Sequence, residues 1–248
     1  MILILILAIN VFYASQDCVF AQQAIIELPT PQVLEPGKMC LILKDEFSPY
    51  NRNVGYAYQI PAIIIGIPKA ELQLSPQTII SNESTLPLFN VGLKSTLDLT
   101  ETTKFTTTLR TYINLQKKVT PLNLWYFTFS QRIPKINSRF TAGVLLTNEY
   151  NFLPNQVGPA LGYEYTVIPK KFLLVSDWQY GNQFFDGLSV GAKYFFTPLT
   201  LVTAAVIIPN ANKTQTGFVF AFTKYTHWRI QVASAKPLFC KWFKTISS

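Results

Sequence analysis

The chain offers few side chains able to do covalent chemistry. It holds a single histidine, His227, and no Gly-x-Ser-x-Gly elbow to raise a serine nucleophile. The three cysteines, Cys18, Cys40 and Cys240, have neither a CxxC pair nor metal-ligand spacing. Glycine-rich phosphate loops are missing. Cys40 and Cys240, one near each end of the chain, could form a disulfide but are read as unrelated free thiols. The remaining candidates are carboxylates, Asp98, Glu149, Glu164 and Asp177. Two of these held close could exchange protons in acid–base catalysis, yet spacing brings no two together. No catalytic residue, cofactor or metal ligand is assigned, and a non-enzymatic role is expected.

The elements that must position these charges have a period of two. Apolar residues make up 49% of the chain and aromatic residues 14%, but charged residues only 14%, against about 25% in an average soluble domain. From about residue 38 to 225, segments of about ten residues alternate apolar and polar and are separated by turn residues, the pattern of strands. In 104–115, Phe105, Leu109, Ile113 and Leu115 share one face. Lys104, Thr106, Thr108, Arg110, Tyr112 and Asn114 share the other. Twelve strands are predicted, at 38–47, 58–67, 70–75, 88–99, 104–115, 121–133, 137–149, 157–168, 171–180, 187–197, 199–208 and 214–225. Short connections (67–69, 100–103, 133–137, 168–170, 197–198) alternate with long ones around 48–57, 75–87, 116–121, 150–157, 180–187 and 209–215. Proline recurs in the short turns, where its fixed φ is useful and its missing N–H costs no ladder bond.

An even strand count, with short turns on one side and long loops on the other, describes a closed antiparallel transmembrane β-barrel. The polar face supports lipid outside rather than a dry core inside. It is built mainly of Thr, Ser, Gly, Tyr and Asn, whereas a water-facing surface would be rich in Lys, Glu and Asp. Aromatics near strand ends (Tyr58, Phe89, Trp125, Phe140, Tyr150, Phe172, Trp178, Tyr180, Phe195 and Phe196) suit the interfacial girdles of membrane barrels. On this register Lys94, Asp98, Arg110, Arg132, Arg139, Glu149, Glu164, Asp177 and Lys193 line the lumen. They either form a constriction that selects solutes by charge or pair across strands and fill the lumen. Both readings stay open.

The N-terminus carries an apolar run, Met1-Ile2-Leu3-Ile4-Leu5-Ile6-Leu7-Ala8-Ile9, and then Val19-Phe20-Ala21. Residues 1–21 read as a signal peptide cleaved after Ala21, with no lipid anchor at Cys18. Residues 22–37 are an extended, proline-containing lead-in expected in the periplasm, 38–225 the barrel, and 226–248 a basic tail. The formal net charge is +8, without basic runs, so nucleic acid is not an expected partner. Lys224, Arg229, Lys236, Lys241 and Lys244 form either a solvated tail or a contact for lipid or lipopolysaccharide phosphate. Asn82-Glu83-Ser84 and Asn212-Lys213-Thr214 match the glycosylation acceptor pattern, which is common by chance.

Gln215-Thr216-Gly217-Phe218-Val219-Phe220-Ala221-Phe222 resembles the C-terminal targeting signal of bacterial outer-membrane barrels. Gln215, Gly217, Phe220 and Phe222 match it position for position. Residues 30–38 are similar to the segment before the first strand in porin-like families of uncertain function. The resemblance implies insertion by the barrel-assembly machinery into the bacterial outer membrane. The function expected is a narrow porin-like passive channel for small hydrophilic solutes, or a structural barrel. The alternative is a secreted or periplasmic soluble β-barrel that binds an apolar ligand.

Overall fold

A computed structural model describes residues 26, 28–48, 56–81, 85–116, 120–148, 156–180, 187–210 and 216–227. The segment read as a signal peptide, most of the basic tail, Glu149, Tyr150, Gln215 and Cys240 lie outside them. Twelve strands form: β1 (Lys38–Ser48), β2 (Tyr56–Ile67), β3 (Ala70–Ser81), β4 (Thr85–Asp98), β5 (Thr103–Asn114), β6 (Leu122–Ile133), β7 (Ser138–Thr147), β8 (Gln156–Ile168), β9 (Phe172–Gln179), β10 (Gly187–Thr197), β11 (Thr200–Pro209) and β12 (Gly217–His227). Each is antiparallel to its sequence neighbours, and β1 pairs with β12 to close the barrel. Closure leaves no sheet edge, so the backbone's polar groups are satisfied within the wall.

The alternation sets the faces. In β5, Thr106, Thr108, Tyr112 and Asn114 are buried while Ile113 is exposed. Outward positions around the wall carry Leu43, Ile63, Leu93, Phe129, Phe140, Val144, Leu174, Val190 and Phe220, all exposed. Such a continuous apolar belt is the lipid-facing wall of a membrane barrel. Of the expected girdle, Phe140, Tyr180 and Phe196 face outward, but Tyr58 and Phe195 are buried inside. The Tyr58 hydroxyl meets Gln77 on β3 within the lumen, and Phe195 shares the inward side of β10 with Lys193.

Three strand spans differ most from expectation. β3 and β4 are taller than predicted, because Pro76 and Pro87 lie within strands and not in the loop between them. The β2–β3 register places Pro61 opposite Pro76, and the ladder is interrupted between the Gln59↔Thr78 and Ile63↔Leu74 pairs. Two facing prolines remove both donors at one rung and leave two carbonyls without ladder partners. The Ser75 hydroxyl donates to the Pro61 carbonyl at 2.7 Å. β12 also runs further than expected. Thr226 and His227, assigned to the tail by sequence, pair with Met39 and Lys38 of β1.

The short turns use unusual backbone. Lys69 and Lys170, each following a proline, both have φ 61°, in the left-handed region, which costs a non-glycine residue about 1–2 kcal/mol. Lys69→Gly is therefore expected to raise barrel stability by about 1 kcal/mol after glycine's own entropic cost. Urea unfolding from lipid vesicles would check this.

Candidate functional site

The lumen is the one region where the barrel brings its chemistry together. Glu71 on β3 and Lys94 on β4 are both buried and lie 2.8 Å apart. On the other side of the barrel Arg139 (β7) meets Glu164 (β8) at 2.7 Å. Lys193 (β10) is buried in the electrostatic surroundings of Glu164 and Asp177. The Arg110 guanidinium stands 5.6 Å from the centre of the Tyr126 ring. Lys44 and Glu46 on β1 lie 3.6 Å apart. Asp98 belongs elsewhere: it pairs with Lys104 at 2.8 Å beside the β4–β5 turn and is largely exposed. Arg132 is also exposed, at the short-turn end of β6. Of the assembly-signal residues, Gly217 is buried, and Phe220 and Phe222 face outward.

An apolar cluster occupies part of the long-loop half of the interior, among buried polar residues such as Glu46, Asn90, Asn114, Asp177 and Gln179. Leu88, Tyr112, Leu122, Leu124, Leu145, Val175, Ile207 and Val219 form one buried cluster. Except for Val175, in the middle of β9, they stand toward the loop-side ends of their strands, at a level that two buried carboxylates share: Glu46 is the register partner of Val219, and Ser189 pairs with both Asp177 and Ile207. No described set of three His, Cys, Asp or Glu residues is placed to hold a metal ion. Cys40 is buried inside β1 and forms no disulfide among the described residues.

The lead-in was expected outside the barrel, in the periplasm, and its described part lies inside. At Glu35-Pro36-Gly37-Lys38 the chain reverses: Gly37 has φ 81°, and the Lys38 N–H donates to the Glu35 carbonyl at 3.0 Å. Pro-Gly is the pair that such a turn favours, and a Glu35–Lys38 ion pair of 2.7 Å spans it. Inward of the turn the segment runs along the lumen. The Leu34 N–H donates to Glu71 Oε2 at 3.0 Å. Further on, the Leu28 and Ile26 N–H groups donate to Asp177 Oδ2 at 2.9 and 2.8 Å. Leu28 and Thr30 are fully buried. Pro29 and Pro31 have no N–H, so the segment brings fewer donors into the interior to be satisfied.

The wall is shaped to receive it. A Cβ on Gly66 would fall 2.0 Å from the Glu35 carbonyl oxygen and 2.7 Å from that of Leu34. Gly66 and Glu71 are register partners across β2 and β3, so one rung of the wall seats the root of the segment. Sequence reasoning did not assign Glu71, Lys44, Glu46 or the lead-in to the lumen. The signal available was the alternation of apolar Ile26, Leu28 and Leu34 with proline, which suits an extended buried strand.

Cavities remain among the described residues. At the short-turn mouth a cavity of about 330 Å³ is lined by Arg132, Arg139, Lys170, Glu164 and Gln32, with Leu173 and Phe195 as apolar wall. Arg132 and Lys170 form no ion pair among the described residues, so the cavity carries a positive excess. A second, of about 80 Å³, lies between Ile26 and the wall at Lys44, Lys193 and Tyr225.

No protein-family model and no curated protein matches the chain. Solved structures do. The KdgM porin superposes with a TM-score of 0.53 at 8% identity, covering 75% of this chain and 98% of that one. The translocator domain of the autotransporter NalP from Neisseria meningitidis gives 0.43 at 8% identity, over 77% of this chain and 88% of that one. Omp33 of Acinetobacter baumannii gives 0.41 at 10% identity, over 77% and 97%. The fold is that of a porin-like outer-membrane β-barrel.

Proposed function

We propose that this chain sits in the bacterial outer membrane as a narrow, passive, porin-like conduit for small hydrophilic anions. The observation that carries this reading is the short-turn mouth, where Arg132, Arg139 and Lys170 surround a cavity of about 330 Å³ with Glu164 as the one lining carboxylate. Glu164 offsets Arg139, which leaves two positive charges to attract an entering anion. Guanidinium groups replace part of the hydration of a carboxylate or phosphate through paired N–H donors. The signal peptide ending near Ala21 accounts for export. Gln215, Gly217, Phe220 and Phe222 supply the features that the assembly machinery would read, and the basic tail suits lipopolysaccharide phosphate.

The test is the reversal potential of the refolded mature chain in a planar bilayer under a potassium chloride gradient. The parent barrel is expected to favour chloride, and Arg132→Glu with Lys170→Glu to shift preference toward potassium. A reversal potential that the double change leaves unmoved would overturn the anion reading.

The apolar layer of Leu88, Leu122, Leu124, Leu145 and Ile207 favours a second reading, a closed structural barrel. That reading expects a heat-modifiable folded protein with no current in either form.

A further inference from the structure

We infer that the lead-in is a withdrawable strap that closes the lumen of its own barrel; this rests on the conduit reading. The strap is rooted at the short-turn end by the Glu35–Lys38 turn and runs inward from there. Its main-chain anchors to wall side chains include three N–H groups on two carboxylates, Glu71 and Asp177. It leaves a space of about 80 Å³ beside Ile26, so its packing is incomplete on that side.

The hydrogen-bonded ladder of the wall closes between β1 and β12 without the strap. The wall charges keep partners of their own, Glu71 with Lys94 and Arg139 with Glu164. Withdrawal would leave the cylinder closed and expose paired, hydratable charges together with the apolar wall that Ile26, Leu28 and Leu34 pack against. Proline at 29 and 31 favours an extended segment whether in the lumen or out of it, so little local structure must be broken for it to leave.

Gly66 provides the test, because it touches the strap and carries no charge. A side chain there meets the Glu35 carbonyl at once, so Gly66→Val must push the root of the strap off the wall. Asp177→Ala releases the inner end independently. Occupancy is read by placing Thr30→Cys, at a fully buried position, in a chain whose native cysteines are replaced by serine. A charged thiol reagent is then added to barrels whose folding is verified by heat-modifiable mobility. The unaltered strap should label slowly. Gly66→Val or Asp177→Ala should raise the labelling rate and the channel open probability at least tenfold.

The strap is overturned if folded Gly66→Val and Asp177→Ala barrels both label at the parent rate. It is also overturned if Thr30→Cys in the otherwise unaltered barrel labels as fast as Leu99→Cys in an exposed turn. Faster labelling without current would uphold the strap and remove the conduit reading. Large anion-selective currents in the parent, unchanged by Gly66→Val, would remove the strap and leave the conduit standing.

Discussion

Glu71→Leu is expected to destabilise the barrel by about 3–5 kcal/mol, the usual consequence of removing one partner from a buried ion pair. Glu71 lies 2.8 Å from Lys94, and both are buried. The substitution leaves a buried ammonium without its carboxylate and also removes the acceptor of the Leu34 N–H. Adding Lys94→Met should recover most of the loss, since an apolar pair of similar volume avoids the desolvation that the ions pay. A double-mutant cycle by denaturant unfolding from vesicles measures the coupling. If the two single changes simply add, the pair does not act as a unit and this account fails.

Leu109→Arg is the second large effect. Leu109 stands near the middle of β5, on the outward side and opposite Leu93 of β4. Arginine at mid-membrane depth on the lipid face costs about 2–4 kcal/mol, so folding into vesicles should fall sharply. Thr108→Arg, which the alternation alone suggests as a harmless lumen change, is not a suitable control. Thr108 is buried beside Arg110 and the Pro29 of the strap, and a second guanidinium there meets both. Thr166→Lys, in the partly open short-turn mouth, is expected to leave folding near the parent level. Equal folding of Leu109→Arg and Thr166→Lys would reverse the assignment of faces.

The strand count, the closed barrel and the inward side of β5 were legible because lipid and lumen demand opposite chemistry every second residue. The heights of β3 and β4 were not. Pro76 and Pro87 read as turn residues, and the tolerance of Pro76 depends on a side chain: the Ser75 hydroxyl donates to the Pro61 carbonyl in place of a ladder N–H. The last residues of β12 were missed because Thr226 and His227 break the simple alternation, and only the facing positions of β1 show that they pair. The apolar layer was obscured for a related reason. Leu124 and Leu145 fall on the inward side of strands that also carry Thr128, Ser130, Thr141 and Thr147 there, and the cluster exists only when the strands are set side by side. Lys94, Arg139, Glu164, Asp177 and Lys193 were picked out from sequence, but not which of them pair, and Glu71 was missed. Contacts such as Asp177 with the Leu28 N–H join residues 149 positions apart, a distance across which local pattern carries no information.

The facing prolines of β2 and β3 also bear on the mechanics of the hoop. A closed cylinder flattens most readily where its circumferential bonds are fewest, and the gap between Gln59↔Thr78 and Ile63↔Leu74 is such a place. The same pair of strands holds Gly66 and Glu71, the seat of the strap. Lateral pressure from a thickening or tightening bilayer would thus deform the wall along the seam that grips the strap, coupling the state of the membrane to the grip on the segment inside.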